Sequence, residues 1–198
     1  MSHSTRCQWC SDDPTYQHYH DQQWGVPCYA PQELFEMLIL EGAQAGLSWI
    51  TVLKKREGYR AAFCGFDPVK IAQFTEQDVE RLRQNPAIIR NKLKIQSAIK
   101  AARAYLAMQA AGEDWVTFLW SFVGGQPVQN HWRTHSEVPV TTRASDAMSQ
   151  ALKKRGFSFV GSTICYAFMQ ATGMVNDHTT DCFRHSQCAA LAQAPPHH

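Results

Sequence analysis

A carboxylate set among apolar neighbours is the first feature of this chain that can do chemistry. Glu41 belongs to the series Leu34, Leu38, Glu41 and Ala45, a spacing that puts all four on one face of a helix opened by Pro31. Burying a carboxylate there is costly unless it has a partner or a function. An ion pair at the helix end is the usual structural answer. Here Gly42, Gly46 and Trp49 follow the acid, leaving room beside it and an aromatic wall nearby, which points to a pocket. Trp9, Tyr16, Tyr19 and Trp24 add further rings close to the N-terminus. Such residues ordinarily pack in a core. They can also sandwich a flat heterocycle, where stacking contributes roughly 1–3 kcal/mol per base. A cationic ring over tryptophan gains on the order of 0.5–2 kcal/mol more. A positively charged base suits this set best.

A second group lies at the two ends of the chain. His178 and Cys182 are four residues apart, one helical turn, and Cys7 with either His20 or Cys10 can complete a tetrahedral metal site. Spacing does not choose between His20 and Cys10, and leaves His185 and Cys188 open. A lone Cys or His is more often a satisfied core residue than a ligand. Several of them at opposite ends of one chain suggest a zinc clasp that contributes to folding. A site closed by protein ligands has no open position and is structural.

The third feature is a glycine-punctuated turn, Lys153-Lys154-Arg155-Gly156-Phe157-Ser158-Phe159-Val160-Gly161-Ser162-Thr163. Helix, glycine, apolar residues, glycine and helix describe a helix-hairpin-helix. Gly156 can end the first helix in a left-handed cap, and Gly161 lets backbone approach a partner. The N–H groups opening the next helix attract a phosphate. An ordinary αα-turn with a solvated basic end is the plainer alternative.

Helical signals dominate the elements that must position these groups. A helix from Pro31 is followed by one from Ser48 through Lys54, and Thr75 caps a third with acids in its first turn. Asn85-Pro86 is predicted to open the longest helix, stopped by Gly112. A short helix over 115–122 ends at Gly124-Gly125, the segment 126–142 reads as a loop, and helices follow over 144–155 and 162–172. No period-2 strand pair is evident. The expectation is an all-α fold of eight or nine helices in one domain over 1–188, with the hairpin near 147–173 and a disordered tail over 189–198.

Composition agrees. The 198 residues are 44% hydrophobic, enough for a sizeable core. Only 18% are charged, and 19 basic against 17 acidic side chains leave a net charge of +2, so any basic patch must be local. No apolar run has the length of a membrane span, and the polar N-terminus lacks the apolar stretch of a secretory signal, so the cytoplasm is expected. Seven cysteines cannot pair completely and read as thiols or metal ligands.

Three long segments carry a family resemblance: Tyr19 through Pro27; Leu34 through Phe63, containing EGAQAGLSWITVLKKREGYRAAF; and LKKRGFSFVGSTICYAFMQATGMVNDH, ending at His178. The chain closely resembles the bacterial 3-methyladenine DNA glycosylase I family from about Cys7 to Cys182. The resemblance implies a helix-hairpin-helix glycosylase fold with one structural zinc ion joining the termini. It places the ligands at Cys7, His20, His178 and Cys182, and leaves Cys10, His185 and Cys188 as bystanders. It maps the base pocket onto Glu41, Trp49, Tyr16 and Tyr19, with Trp9 and Trp24 close by, and has Glu41 recognise the adenine edge.

The implied reaction is excision of 3-methyladenine from alkylated double-stranded DNA by a monomer, leaving an abasic site. Strand-cleaving relatives carry a lysine where Thr163 stands, so no Schiff base is expected. Asn176 and Asp177 fall near the catalytic aspartate of other hairpin glycosylases, an acid this family does without. Phe159 replaces the usual middle glycine. DNA contact is expected from Gly156, Phe157, Gly161, Ser162 and Thr163, with Gly46-Leu47 entering the gap left by a flipped nucleotide. A zinc-stabilised DNA-binding module without catalysis, and a hydrolase with a catalytic zinc, are the competing readings.

Overall fold

The computed structural model describes residues 4–194. Among these residues eleven α-helices follow one another: α1 (Pro14–Gln22), α2 (Pro31–Ala43), α3 (Trp49–Lys54), α4 (Arg56–Ala62), α5 (Pro68–Ile71), α6 (Glu76–Arg83), α7 (Lys92–Ala110), α8 (Trp115–Ser121), α9 (Arg143–Lys154), α10 (Ser162–Ala171) and α11 (Arg184–Ala192). Short 3-10 turns occupy Cys64–Phe66 and His135–Glu137. The all-α expectation therefore holds for the bulk of the fold. None of the helices is long and apolar enough to cross a membrane.

The organising element is α2. Pro31 opens it, and Leu34, Phe35, Met37, Leu38 and Leu40 are buried on several sides because α3, α7, α8 and α10 all pack against it. Two carboxylates on this helix are buried as well, Glu36 and Glu41. The helix ends at Ala43, so Ala45 lies past its end rather than on its face. Lys94 Nζ donates to the carbonyls of Ala43 at 2.9 Å and Ala45 at 2.5 Å, satisfying orphan acceptors at that end and pinning the following turn. At Gly42 a Cβ would stand 3.1 Å from the Phe159 carbonyl and 3.3 Å from its Cβ, so the missing side chain lets the turn between α9 and α10 lie close against α2. That contact links the two functional regions.

Several local expectations are met at atomic level. Thr75 and Asp78 form a reciprocal capping box at the start of α6. Gly156 ends α9 at φ +96°. Others need correction. The longest helix starts at Lys92, capped by the Asn91 side chain on the N–H of Lys94, and not at Asn85-Pro86. Asn85 Oδ1 instead accepts from the N–H of Ala87 at 2.9 Å, folding a turn against α4. The loop over 126–142 contains β1 (Val128–Gln129), which pairs in parallel with β2 (Val175–Asn176). Two residues are too few to show an alternating pattern. The expected disordered tail begins inside α11, whose helix continues through Ala192 with Cys188 buried, and residues 195–198 lie outside the described residues.

Candidate functional site

The N-terminal segment, α1, the end of α2 and the start of α3 enclose a cavity of about 200 Å³. Trp9, Tyr16, Tyr19, Trp24, Glu41 and Trp49 all line it, so the structure brings together the full aromatic and acidic set. Trp9 is the hub of the ring cluster, 5.1 Å from Tyr16 and 4.9 Å from Trp24 between centroids, while Tyr19 meets Trp49 at 5.5 Å. The indole N–H groups of Trp9 and Trp49 are buried without a protein partner.

Glu41 is the chemically decisive wall. It is 3% exposed and, among the described residues, no protein group donates a hydrogen bond to its carboxyl, so burial pushes its pKa up to about 8. Glu36, five residues earlier on the same helix and also buried, shows the ordinary solution. Arg60 Nε reaches its Oε1 at 2.5 Å and Arg56 Nη2 its Oε2 at 3.4 Å. One buried acid is neutralised by the fold; the other is left waiting. A group arriving in the cavity with a positive charge and an N–H donor supplies what Glu41 lacks.

Cys7 and Asp177, both singled out in the sequence for other reasons, also line it, and the remainder of the wall, Gln44, His135, Val138, Ala167, Gln170 and Thr179, was not legible there. His135 and Val138 come from the segment read as a plain loop, whose approach to the cavity leaves no periodic signal. Ala167 and Gln170 sit one turn apart on α10, and the polar Gln170 on a largely apolar helix was the available clue.

Behind the cavity the four Cys and His residues of the chain ends converge. The ligand atoms of Cys7, His20, His178 and Cys182 lie within 4.8 Å of one another and all four residues are buried, a cluster that can hold a metal ion. Cys182 Sγ is 3.4 Å from His178 Nδ1 and 3.5 Å from His20 Nε2, and Cys7 Sγ is 3.3 Å from His178 Nδ1. The outward nitrogens are held too: His20 Nδ1 meets Asp21 Oδ1 at 2.8 Å, and His178 Nε2 meets the Trp24 carbonyl at 2.8 Å. That arrangement turns one lone pair of each imidazole inward, as metal ligation requires. Hydrogen bonding from Cys7, then from His178 and His20, holds the Cys182 thiol far below its usual range, while Cys7 is pushed up by Cys182 and by burial. Cys10 is partly exposed and its thiol turns to the Ser11 carbonyl, and His185 is engaged with the Asn130 carbonyl.

The turn between α9 and α10 differs in detail from its reading in the sequence. Phe159 adopts φ +54°, the left-handed conformation that a glycine would take more easily, at a cost of about 1–3 kcal/mol for a bulky residue. The backbone path is therefore kept despite the substitution. Phe157 is buried and stacks on Trp115 at 5.7 Å, so its ring belongs to the core and is not available to DNA. Arg155 is turned to Glu113 at 2.7 Å and lies over the Phe118 ring, leaving Lys153 and Lys154 as the exposed cations there. Ser162 donates its hydroxyl to Asp146 at 2.6 Å, Thr163 is exposed, and Gly161 caps α10 with no side chain covering the first-turn N–H groups. Leu47 is exposed on the turn after α2, beside Gly46.

A helical domain that sets a partnerless acid among tilted and edge-on aromatic rings, with an open helix N-terminus packed on the same pocket helix, has the architecture of a protein that takes up a flat, positively charged ring. Comparison with known proteins makes this specific. The methyladenine glycosylase family model matches residues 9–185, and the chain belongs to that family. It is 62% identical over 177 residues to DNA-3-methyladenine glycosylase 1 of Escherichia coli, covering 89% of this chain and 95% of that protein. A crystal structure of 3-methyladenine DNA glycosylase I superposes with a TM-score of 0.91 at 60% identity, covering 91% of this chain and all of the other. The Staphylococcus aureus enzyme, solved to explain its 3-methyladenine recognition, gives a TM-score of 0.86 at 36% identity over 98% of both chains.

Proposed function

We propose that this protein flips 3-methyladenine out of alkylated duplex DNA and hydrolyses its N-glycosidic bond, leaving an abasic site. The observation that carries this reading is Glu41, buried beside an aromatic cavity with no protein partner. Alkylation at N3 makes the base cationic while it is still attached to deoxyribose. It then pairs and stacks poorly, is cheaper to extrude, and already has a weakened bond to the sugar. The protein therefore needs little acid catalysis at the leaving group. The rings of Trp9, Tyr16, Tyr19, Trp24 and Trp49 hold the base, and Glu41 accepts its N–H donors. Because Glu41 stabilises the cationic ground state as well as the transition state, it serves selection of the base more than rate. Chromatography of bases released from methylated duplex DNA tests the assignment. Free 3-methyladenine is expected, and its absence overturns it.

DNA is held by a helix-hairpin-helix formed by α9 and α10. Its phosphate site is the uncapped N-terminus of α10 at Gly161, Ser162 and Thr163, with Lys153 and Lys154 nearby. Leu47 fills the gap left by the flipped nucleotide. Leu47→Ala is expected to leave thermal stability within about 0.5 kcal/mol, as for an exposed residue. It should slow excision from duplex DNA roughly tenfold while sparing single-stranded substrate, which needs no gap filled. Equal slowing on both substrates counts against the wedge. Thr163→Lys is expected not to confer strand cleavage, assayed on denaturing gels, because a lysine alone lacks the desolvation and partners that activate an amine.

Cys7, His20, His178 and Cys182 hold one zinc ion. The donor set fits: two sulfurs and two oriented imidazoles form a closed tetrahedral site with a structural role. When bound, zinc joins the ends of the chain. The enzyme acts as a monomer in the cytoplasm.

A further inference from the structure

Asp177 lines the cavity at 2% exposure, and every acceptor position of its carboxylate is used. Oδ1 accepts from Asn130 Nδ2 at 2.7 Å and from the Trp132 indole N–H at 2.9 Å. Oδ2 accepts from the Tyr166 hydroxyl and from Gln170 Nε2 at 3.0 Å. An ionised carboxylate offers about four lone-pair sites, so none remains to take a proton from an attacking water. The two oxygens serve different elements. One holds the segment that follows β1, the other holds α10.

We infer that Asp177 is a positioning residue, which ties the 130–138 segment to α10 and so builds the part of the cavity wall formed by His135, Val138 and Gln170. The same segment is fixed nearby by the β1–β2 pair, by the Thr180 N–H on the Trp132 carbonyl at 2.8 Å and by His185 on the Asn130 carbonyl at 2.7 Å. Among the described residues, the Asp177 side chain is the one that hydrogen-bonds both to this segment and to side chains of α10. The amide of Gln170 is oriented by this contact: a carboxylate demands its nitrogen, leaving its carbonyl oxygen without a protein partner. In Asp177→Asn an NH2 group replaces one oxygen. Toward the 130–138 segment it faces the Trp132 indole, which can only donate. Toward α10 it is accepted only if the Tyr166 hydroxyl and the Gln170 amide both turn over, so the clamp is disturbed on one side or the other.

The inference deepens the proposed glycosylase reading and rests on it for the choice of probe, free 3-methyladenine. Asp177→Asn is expected to weaken binding of that base about tenfold and to speed hydrogen exchange of the 130–138 amides. The single-turnover excision rate at saturating enzyme should stay within about threefold of wild type, since wall contacts made equally to the bound base and to the transition state affect binding and not the rate once bound. A rate about a hundredfold lower with unchanged base affinity overturns the inference, because the carboxylate then acts on the reaction itself. Trp132→Phe keeps the carboxylate and removes one donor from the 130–138 side. It decides the matter should the Asn variant not fold: weaker base binding with faster exchange supports the clamp, and wild-type values for both overturn it. Failure of wild type to bind 3-methyladenine counts against the glycosylase reading alone, and the exchange measurement still tests the clamp.

Discussion

Glu41→Gln is expected to cut excision of 3-methyladenine by about 10- to 100-fold while making the protein more stable at alkaline pH. The loss follows from removing a charged acceptor from a desolvated contact with a cation, roughly 1.5–3 kcal/mol. The gain follows from the carboxyl's raised pKa. The ordinary glutamate value is 4.5, and burial carries Glu41 to about 8. Between those values the folded protein keeps a proton that the unfolded chain has released, so stability falls as pH rises through that window. Each unit is about 1.4 kcal/mol. Glutamine has nothing to ionise, so the variant should out-melt wild type at pH 8 by on the order of a few kcal/mol, and the two should converge near pH 4. Thermal melts at the two pH values check these signs. A variant no more stable than wild type at pH 8 would falsify the account of Glu41 as a strained, partnerless acid.

Loss of one member of the buried Cys and His cluster is expected to destabilise the protein before it affects chemistry. Cys182→Ala removes one of four converging, buried donors contributed by opposite ends of the chain. Structural zinc sites carry apparent binding energies of about 10–16 kcal/mol in small domains, and part of that is folding energy. For a chain of this size about 1 kcal/mol moves the melting temperature by roughly 2–4 °C, so a loss of several kcal/mol lowers it by on the order of 10 °C. Chelation should do the same to wild type and little to the variant. Below the lowered melting temperature, excision should persist. Trp9 rests on His20 at 5.2 Å, so some weakening of base binding is expected alongside. Abolished turnover with an unchanged melt would instead indicate a catalytic metal.

Much of this was open to reading in the chain itself. The helical character, the place of Glu41 on the helix from Pro31, the aromatic residues near it and the Cys and His residues at both ends all follow from residue type and local spacing. Local spacing also misleads. Asn85-Pro86 has the form of a helix start, yet α4 presses on the 85–88 turn so closely that a Cβ on Gly58 would meet the Ala87 carbonyl at 2.2 Å. The Asn85 side chain closes that turn, and the helix waits for Asn91. Arg155 belongs, in the sequence, to the basic end beside two lysines, and in the structure Glu113 and Phe118 claim it.

What the amino-acid order determined was which side chains share a helix face, because that depends only on neighbours a few residues away. What the tertiary structure decided was which of them are satisfied. Glu36 and Glu41 are both buried acids on one helix, and only the structure shows Arg56 and Arg60 reaching the first and, among the described residues, no partner reaching the second. Likewise the 130–138 segment is held at the cavity by groups more than forty residues further along the chain, Asp177 on Asn130 and Trp132 and Thr180 on Trp132. Desolvation and partnership are set by groups distant in sequence, and periodicity carries no record of them.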